Sequence, residues 1–510
     1  MLDAYVKRIL QARVYAVARE TPLDRAARLS QRLGNDIYLK REDLQPVFSF
    51  KLRGAYNKIA MLSEEARANG VIAASAGNHA QGVALAATRL GIRSLIVMPK
   101  TTPSIKVMAV KSWGGQVVLQ GDSYDEAYRH ALELSRTRDA TFVHPFDDKD
   151  VIAGQGTVAM ELIRQQSRPI DYLFVPIGGG GLIGGVSAYM KYVSPETRII
   201  GVEPDDAPSM YTALERGRRV TLKSVGIFAD GVAVKQVGKQ TFKLAKRYVD
   251  DVILNSVDEI CAAVKDVFDE VRTIPEPAGA LAVAGMKKYL TDNAIQNAHC
   301  VAVVSGANIN FDRLRHVAER AELGERREAL FAVRIPEKPG SFLRFSRVLG
   351  HRSMTEFNYR YADAEEAHVF CGVGLSDGDA ERRKLMERLE SKGYTVTDMT
   401  DNEMAKLHVR YMVGGRAPDV ANEYVYRFQF PELPGALQRF LSHIGKRWNI
   451  SLFHYRNHGA AYGRVLVGVQ LGAGEKSEFQ RSMLDLDYPF VEETDNPAYR
   501  IFAPAGEQPG

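Results

Sequence analysis

YLFVPIGGGGLIGGVSAYM, residues 172–190, carries no charge over a length that would cross a membrane. Six glycines and a proline lie within it, however, and glycine's backbone freedom works against a stable spanning helix. The same letters fit an apolar strand running into a glycine turn and then a helix. That choice decides the fold, because the chain repeats the arrangement. VIAAS (71–75), RSLIVMP (93–99), GQVVLQ (115–120), RIIGVE (198–203) and CVAVVSG (300–306) are further short β-branched runs separated by helical patterns, from about residue 20 to 315. Such alternation predicts an α/β body of parallel strands covered by helices on both faces. Ligands of these sheets bind beyond the carboxyl ends of the strands. Three candidate strands end there in small or polar residues: Ser75-Ala76-Gly77-Asn78-His79, Gly178 to Gly181, and Ser305-Gly306-Ala307-Asn308. Loops of that kind, if they converge, build a site for a phosphate and a heterocycle.

At 510 residues the chain is long enough for two or more domains with cores of their own. Its 67 Lys and Arg against 62 Asp and Glu leave it mildly basic with no long block of like charge, so nucleic acid is not expected as a partner. The opening MLDAYVKRIL lacks the apolar stretch and small-residue cleavage site of a secretory signal, and export is not indicated. Three dispersed cysteines, Cys261, Cys300 and Cys371, offer neither a disulfide framework nor a metal-ligand spacing and suit a reducing compartment. A cytoplasmic protein without a membrane span is expected.

After ERAELGERREAL (319–330) the text begins to repeat itself. FAVRIPEKPGSFLRF (331–345) returns as FQFPELPGALQRF (428–440), EFNYR (356–360) as LFHYR (452–456), and HVFCGVGL (368–375) as RVLVGVQL (464–471). The step is 95 residues from Pro336 to Pro431 and 96 from Glu356 to Leu452 and from His368 to Arg464. Each copy reads strand, Pro-Gly turn, helix, strand, strand, helix, with a final strand near HVRYMV (408–413) or YRIFA (499–503). That order matches a ferredoxin-like α+β unit. Paired small sheets beside an α/β body suit metabolite sensing.

The glycine run has two chemical readings. Gly179, Gly181 and Gly184 satisfy G-x-G-x-x-G, with Glu203 further on at the end of the next strand-like run, which is a dinucleotide fingerprint. Four consecutive glycines at a helix start equally form a backbone cup for one terminal phosphate. Lys51 favours the second. It stands between Phe50 and Leu52 at the start of a helical stripe formed by Leu52, Ala55 or Tyr56, Ile59 and Leu62, where dipole and burial both disfavour the charged amine. A neutral lysine is a nucleophile and a base, which forming an imine requires. Asn78 is placed to meet a ring substituent, and Ser75 to contact a carboxylate or move a proton; both equally suit helix capping. Ser305 is placed to face a pyridine nitrogen or to form a turn. Glu276 lies in a proline-flanked loop near the same site, and His79 reads as structural.

SFKLRGA (49–55), SAGNHAQG (75–82), GGGGL (178–182), EPAGA (276–280) and SGANIN (305–310), in that order and spacing, closely resemble the pyridoxal-phosphate-dependent threonine dehydratases of fold type II. The likeness spans nearly the whole chain, since PEKPGSFLRF, TEFNYRY and HVRYMVGGR resemble the paired ACT-like regulatory region of the biosynthetic form. The resemblance implies a catalytic body of two parallel-sheet subdomains over residues 1–322 and two ferredoxin-like regulatory domains over 328–415 and 423–505. It implies pyridoxal 5'-phosphate as cofactor, with Lys51 as its Schiff-base lysine and as the Cα base. Asn78 is then the contact to the ring hydroxyl. Gly178, Gly179, Gly180 and Gly181 with the Leu182 amide form the phosphate cup, and Ser305 is the partner of the ring nitrogen. Ser75 is a substrate-side catalytic residue. A serine rather than an acid at that nitrogen mutes carbanion delocalisation and favours elimination over transamination.

The same resemblance implies conversion of L-threonine, with L-serine a closely related alternative, to a 2-oxo acid and ammonia. For threonine the product is 2-oxobutanoate, at the first step of isoleucine biosynthesis. It further implies inhibition by isoleucine opposed by valine, and a homotetramer. Related serine racemases hold a divalent cation partly through a carboxylate six residues after the position of Glu203. Ser209 stands there, so no metal is expected.

Overall fold

YLFVP does lead through glycines into a helix: strand Tyr172–Pro176, a short loop, then helix Gly181–Val193. The computed structural model describes residues 2–336, 344–345, 348–350, 352, 354–360, 366–409, 422–431, 440, 443, 448–456 and 462–502. It divides into two compact units, Met1–Phe311 and Asp312–Gly510. Among the described residues no helix is long and apolar enough to cross a membrane.

The first unit holds two sheets. Its strands are β1 (Leu23–Arg25), β2 (Asp36–Arg41), β3 (Val71–Ala74), β4 (Ser94–Met98), β5 (Gln116–Leu119), β6 (Thr141–Phe142), β7 (Tyr172–Pro176), β8 (Arg198–Pro204), β9 (Asp251–Asn255) and β10 (His299–Val304). The larger sheet runs β1-β2-β10-β7-β8-β9 and the smaller β5-β4-β3-β6. Every pairing is parallel except β1 with β2. Each sheet is covered on both faces, which explains runs of apolar residues without alternation. In β3, Val71 and Ala73 enter one core cluster and Ile72 and Ala74 another. All six strand candidates form. β2 escapes sequence reading because Lys40 and Arg41 are buried in it beside carboxylates, and β6 because it is two residues long.

The second unit holds two four-stranded antiparallel sheets. The first comprises β11 (Glu328–Pro336), β12 (Met354–Arg360), β13 (Glu366–Gly374) and β14 (Thr395–Asp398), in the order β12-β13-β11-β14. The second comprises β15 (Glu423–Pro431), β16 (Asn449–Arg456), β17 (Tyr462–Gln470) and β18 (Phe490–Glu492), in the order β16-β17-β15-β18. Even the register irregularity recurs, at Met354/Glu356 and at Ile450/Leu452. The last strand of each copy needs correction: it is TVTD or FVE, and YRIFA is not a strand. Residues 499–502 belong to helix Pro497–Phe502, because Pro497 opens that helix, Asn496 Oδ1 accepts from the Ala498 amide at 2.9 Å, and Tyr499 is buried; Ala503 lies outside the described residues. In HVRYMV, His408 and Val409 follow helix Glu403–Leu407, and residues 410–413 lie outside the described residues, as do the turns and following residues at 337–343 and 432–439.

Candidate active site

The segment before Lys51 is fastened to the end of β10. Phe50 N donates to Ser305 O at 3.2 Å, Ala307 N to Phe48 O at 2.8 Å, and Asn308 Nδ2 to Val47 O at 2.8 Å. Phe48 adopts a left-handed φ of 54° to make this turn. Lys51 is then the first residue of helix Lys51–Ala60. Its Nζ donates to Pro145 O at 3.2 Å and lies 5.3 Å from the centroid of the Phe50 ring. Burial of the amine pushes its pKa down to about 8, with the Glu276 carboxylate pulling the other way.

The glycine run ends β7 and forms a cradle of bare backbone. A Cβ on Gly179 would stand 2.2 Å from the Phe146 ring, and one on Gly178 would stand 3.0 Å from Val232 Cα. Gly180 has φ +90° and caps helix Gly181–Val193, whose first amides have no partners within the helix. The loop is anchored from behind. Gly179 O accepts from Thr241 Oγ1 at 2.7 Å and from Gly238 N at 3.3 Å, while the Asp147 carboxylate accepts from Lys239 N and Gln240 N at 2.8 and 2.7 Å. Asp147 therefore holds the start of helix Lys239–Tyr248 against the loop.

Asn78 opens helix Asn78–Arg89 beyond β3. Its Nδ2 donates to Glu276 Oε1 at 2.6 Å, and its Oδ1 accepts from Asn308 Nδ2 at 2.5 Å. Three loops thus meet: one after β3, one after β10, and the one opening helix Pro277–Asp292. Ser305 is buried, and its Oγ donates to Ala278 O at 3.2 Å. Gly279 allows that approach, since a Cβ there would fall 2.0 Å from Gly306 O. Ser75 Oγ accepts from Gly77 N at 3.2 Å, a local turn contact; the helix capping open to Ser75 and Asn78 is not made, since Gly77 is the N-cap and no side chain caps helix Asn78–Arg89. His79 is buried with Nε2 2.8 Å from Val143 O, a structural contact, and burial pushes its pKa down to about 3.

Glu203 does not serve a nucleotide. It is fully buried and accepts from Met210 N and Tyr211 N at 2.8 Å each and from Ser209 Oγ at 3.3 Å, so its carboxylate caps helix Ser209–Glu215. Among the described residues no group of three or more His, Cys, Asp or Glu side chains is placed to hold a metal ion.

Sequence reasoning missed the 144–147 segment, which supplies the Lys51 acceptor and the Asp147 anchor. It also missed a buried charge cluster around Arg53. Arg53, Glu42, Glu161 and Lys40 are each fully buried. A charged letter in sequence does not announce burial, so the only available signal was Arg53 lying about half a turn into the helix that Lys51 opens.

The site's parts fit pyridoxal phosphate: a cradle that any Cβ would fill, a helix start for the phosphate, a partly buried amine of lowered pKa, and a buried hydroxyl beyond β10. A profile described as pyridoxal-phosphate dependent enzyme matches residues 14–306. A second, described as the C-terminal regulatory domain of threonine dehydratase, matches residues 319–409 and again 414–502. A Burkholderia multivorans protein named L-threonine dehydratase biosynthetic IlvA is 56% identical over 98% of this chain and 99% of its own length. The Escherichia coli protein of the same name is 54% identical over 98% of this chain and 96% of its own. The solved structure of the processed form of threonine deaminase isoform 2 from Solanum lycopersicum shares 52% identity and superposes with a TM-score of 0.62, covering 63% of this chain and 93% of that one.

Proposed function

We propose that this chain, which belongs to the pyridoxal-phosphate-dependent threonine dehydratases, deaminates L-threonine to 2-oxobutanoate and ammonia. L-serine is the natural second substrate, since a pocket separates one methyl by only about 1–3 kcal/mol. The Gly178–Gly181 amides and that of Leu182 would hold the cofactor phosphate, Asn78 its ring hydroxyl and Ser305 its ring nitrogen, with Lys51 attached covalently. When bound, the cofactor supplies an electron sink for the substrate's Cα.

The remaining chemistry falls to the chain. Lys51, once released by substrate, takes the Cα proton; burial that pushes the amine's pKa from 10.5 down to about 8 makes its neutral, proton-accepting form far more abundant near neutral pH than in a free lysine. Ser305 offers a hydroxyl rather than an acid, so the ring nitrogen gains no full proton from it and elimination is favoured. Ser75 lies on the substrate side. Asn78, fixed by Glu276 and Asn308, has one allowed orientation. The Phe146 ring and Val232 close over the glycine loop and limit water there.

The repeated units, taken as 328–415 and 423–505, would bind isoleucine as an inhibitor, with valine opposing it. The working form would be a cytoplasmic homotetramer. The partly buried Lys51 amine, its pKa lowered by desolvation, beside a cradle without side chains carries this reading. Purified protein should be yellow, bleach with borohydride, and then yield a Lys51 peptide bearing the reduced cofactor; a colourless protein, or an adduct on another peptide, overturns it.

A further inference from the structure

Two residues past Lys51, helix Lys51–Ala60 buries a guanidinium completely. Arg53 Nε and Nη2 donate to Glu42 at 2.7 Å each, Nη1 to Glu161 Oε1 at 2.6 Å, and Nη2 to Glu161 Oε2 at 2.9 Å. Nη1 also reaches Thr157 Oγ1 at 3.1 Å and Nη2 reaches Arg19 O at 3.2 Å. The two carboxylates come from different elements, Glu42 from the turn after β2 and Glu161 from helix Lys149–Gln165. Lys40 on β2 donates to Glu161 Oε2 at 2.6 Å, which balances two cations with two anions. Thr21 Oγ1 donates to Glu42 Oε1 at 2.6 Å and Tyr15 OH to Glu161 Oε1 at 3.0 Å.

Such a cluster is a poor way to gain stability, since apolar residues of similar volume usually do as well. A planar fork gripped by two carboxylates does fix orientation. Successive helical residues are turned by about 100°, so positions 51 and 53 point roughly 200° apart. Locking Arg53 on one side therefore sends Lys51 to the other, toward Pro145 and the cradle. The same helix is pressed onto helix Lys149–Gln165 where Gly154 meets it, for a Cβ there would stand 2.6 Å from Arg53 O, and Gly54 N donates to Gln155 Oε1 at 3.2 Å. Rotation and distance are both set within one turn of the reactive amine.

We propose that Arg53, clamped by Glu42 and Glu161, is a positioning residue that fixes the rotation of its helix and so aims the Lys51 amine. This rests on the reading of Lys51 as the attachment residue. The test is Arg53→Lys, which keeps the charge and loses the fork, in the full-length protein. Cofactor is removed and the rate of its re-attachment followed by absorbance, with borohydride trapping on Lys51 and the kcat and KM for threonine as further readouts. Attachment at Lys51 should slow at least tenfold and kcat fall at least tenfold, with KM within twofold. Arg41→Lys makes the same change in a neighbouring buried pair, whose partners are Asp24, Asp43 and Thr273, and should leave both rates within twofold.

Rates within twofold of wild type for Arg53→Lys, with the adduct on Lys51, overturn the positioning role alone. An adduct elsewhere overturns the underlying reading instead. If Arg53→Lys does not fold, Glu161→Gln, which leaves the Glu42 grip, replaces it under the same criteria. Failure of both to fold makes the cluster a folding element and ends the proposal.

Discussion

Lys51 combines apolar neighbours, a helix start and, among the described residues, a single side-chain hydrogen bond, to Pro145 O. Its removal therefore costs the fold little. Lys51→Ala should lower threonine deamination by at least about 10²- to 10⁴-fold, the scale of a general acid or base alone, while the thermal midpoint of the cofactor-free protein stays unchanged. Retained activity would remove Lys51 from the chemistry. Nearby, His79 is buried and His144 partly buried, and desolvation pushes their pKa values from 6.5 down to about 3 and about 4, leaving both uncharged near neutral pH. As pH falls through 6.5 the unfolded chain takes up protons that the folded protein refuses, so these groups withdraw stability between pH 6.5 and about 3. Glu203 acts oppositely, because burial raises its pKa from 4.5 to about 8 and its contribution fades as pH rises across that window. The difference between proteins isolates the histidine term. His79→Gln should flatten the fall in urea midpoint from pH 7 to pH 5 relative to wild type, and an identical fall would refute the assignment.

Among elements, the strand–glycine–helix passage at 172–193 was readable because three local signals agree: a β-branched run, glycines, and a resumed helical pattern. Which glycine matters most was not readable. Gly179 is not among the glycines with a left-handed φ, and the Phe146 ring, far away in sequence, is what a side chain there would strike. Gly179→Ala should cost about 1–3 kcal/mol through overpacking and weaken pyridoxal-phosphate binding at least tenfold, as read by denaturant unfolding and cofactor titration. Binding unchanged by the substitution would show that the loop is not the phosphate cradle. The misplaced last strand of the second repeat has a comparable cause. YRIFA is apolar enough for a strand, but Asn496 and Pro497 start a helix just before it, and capping outweighs strand propensity.

For the whole molecule, the decisive feature is that the first unit carries its own cores. The clusters built around β3, β4, β7 and β10 contain only residues of Met1–Phe311. Deleting residues 326–510 should leave an enzyme that still deaminates threonine but no longer responds to isoleucine, because an effector shifts only an equilibrium whose states it binds unequally. Inhibition of the truncated protein by isoleucine, measured against the intact chain, would place the effector site in the body instead.

Local chemistry sufficed for the sequence to determine the alternating body, the duplicated tail and the identity of most candidate site residues, since periodicity, turn residues and short motifs are written in neighbouring letters. Tertiary structure alone decided what those residues touch. The acceptor for Lys51 lies in the 144–147 segment, Asn78 is fixed by Glu276 and Asn308, Glu203 is consumed by a helix start, and Arg53 sits between carboxylates from two other elements. Burial and long-range hydrogen bonding set charge state and orientation, and both depend on partners that chain order does not reveal.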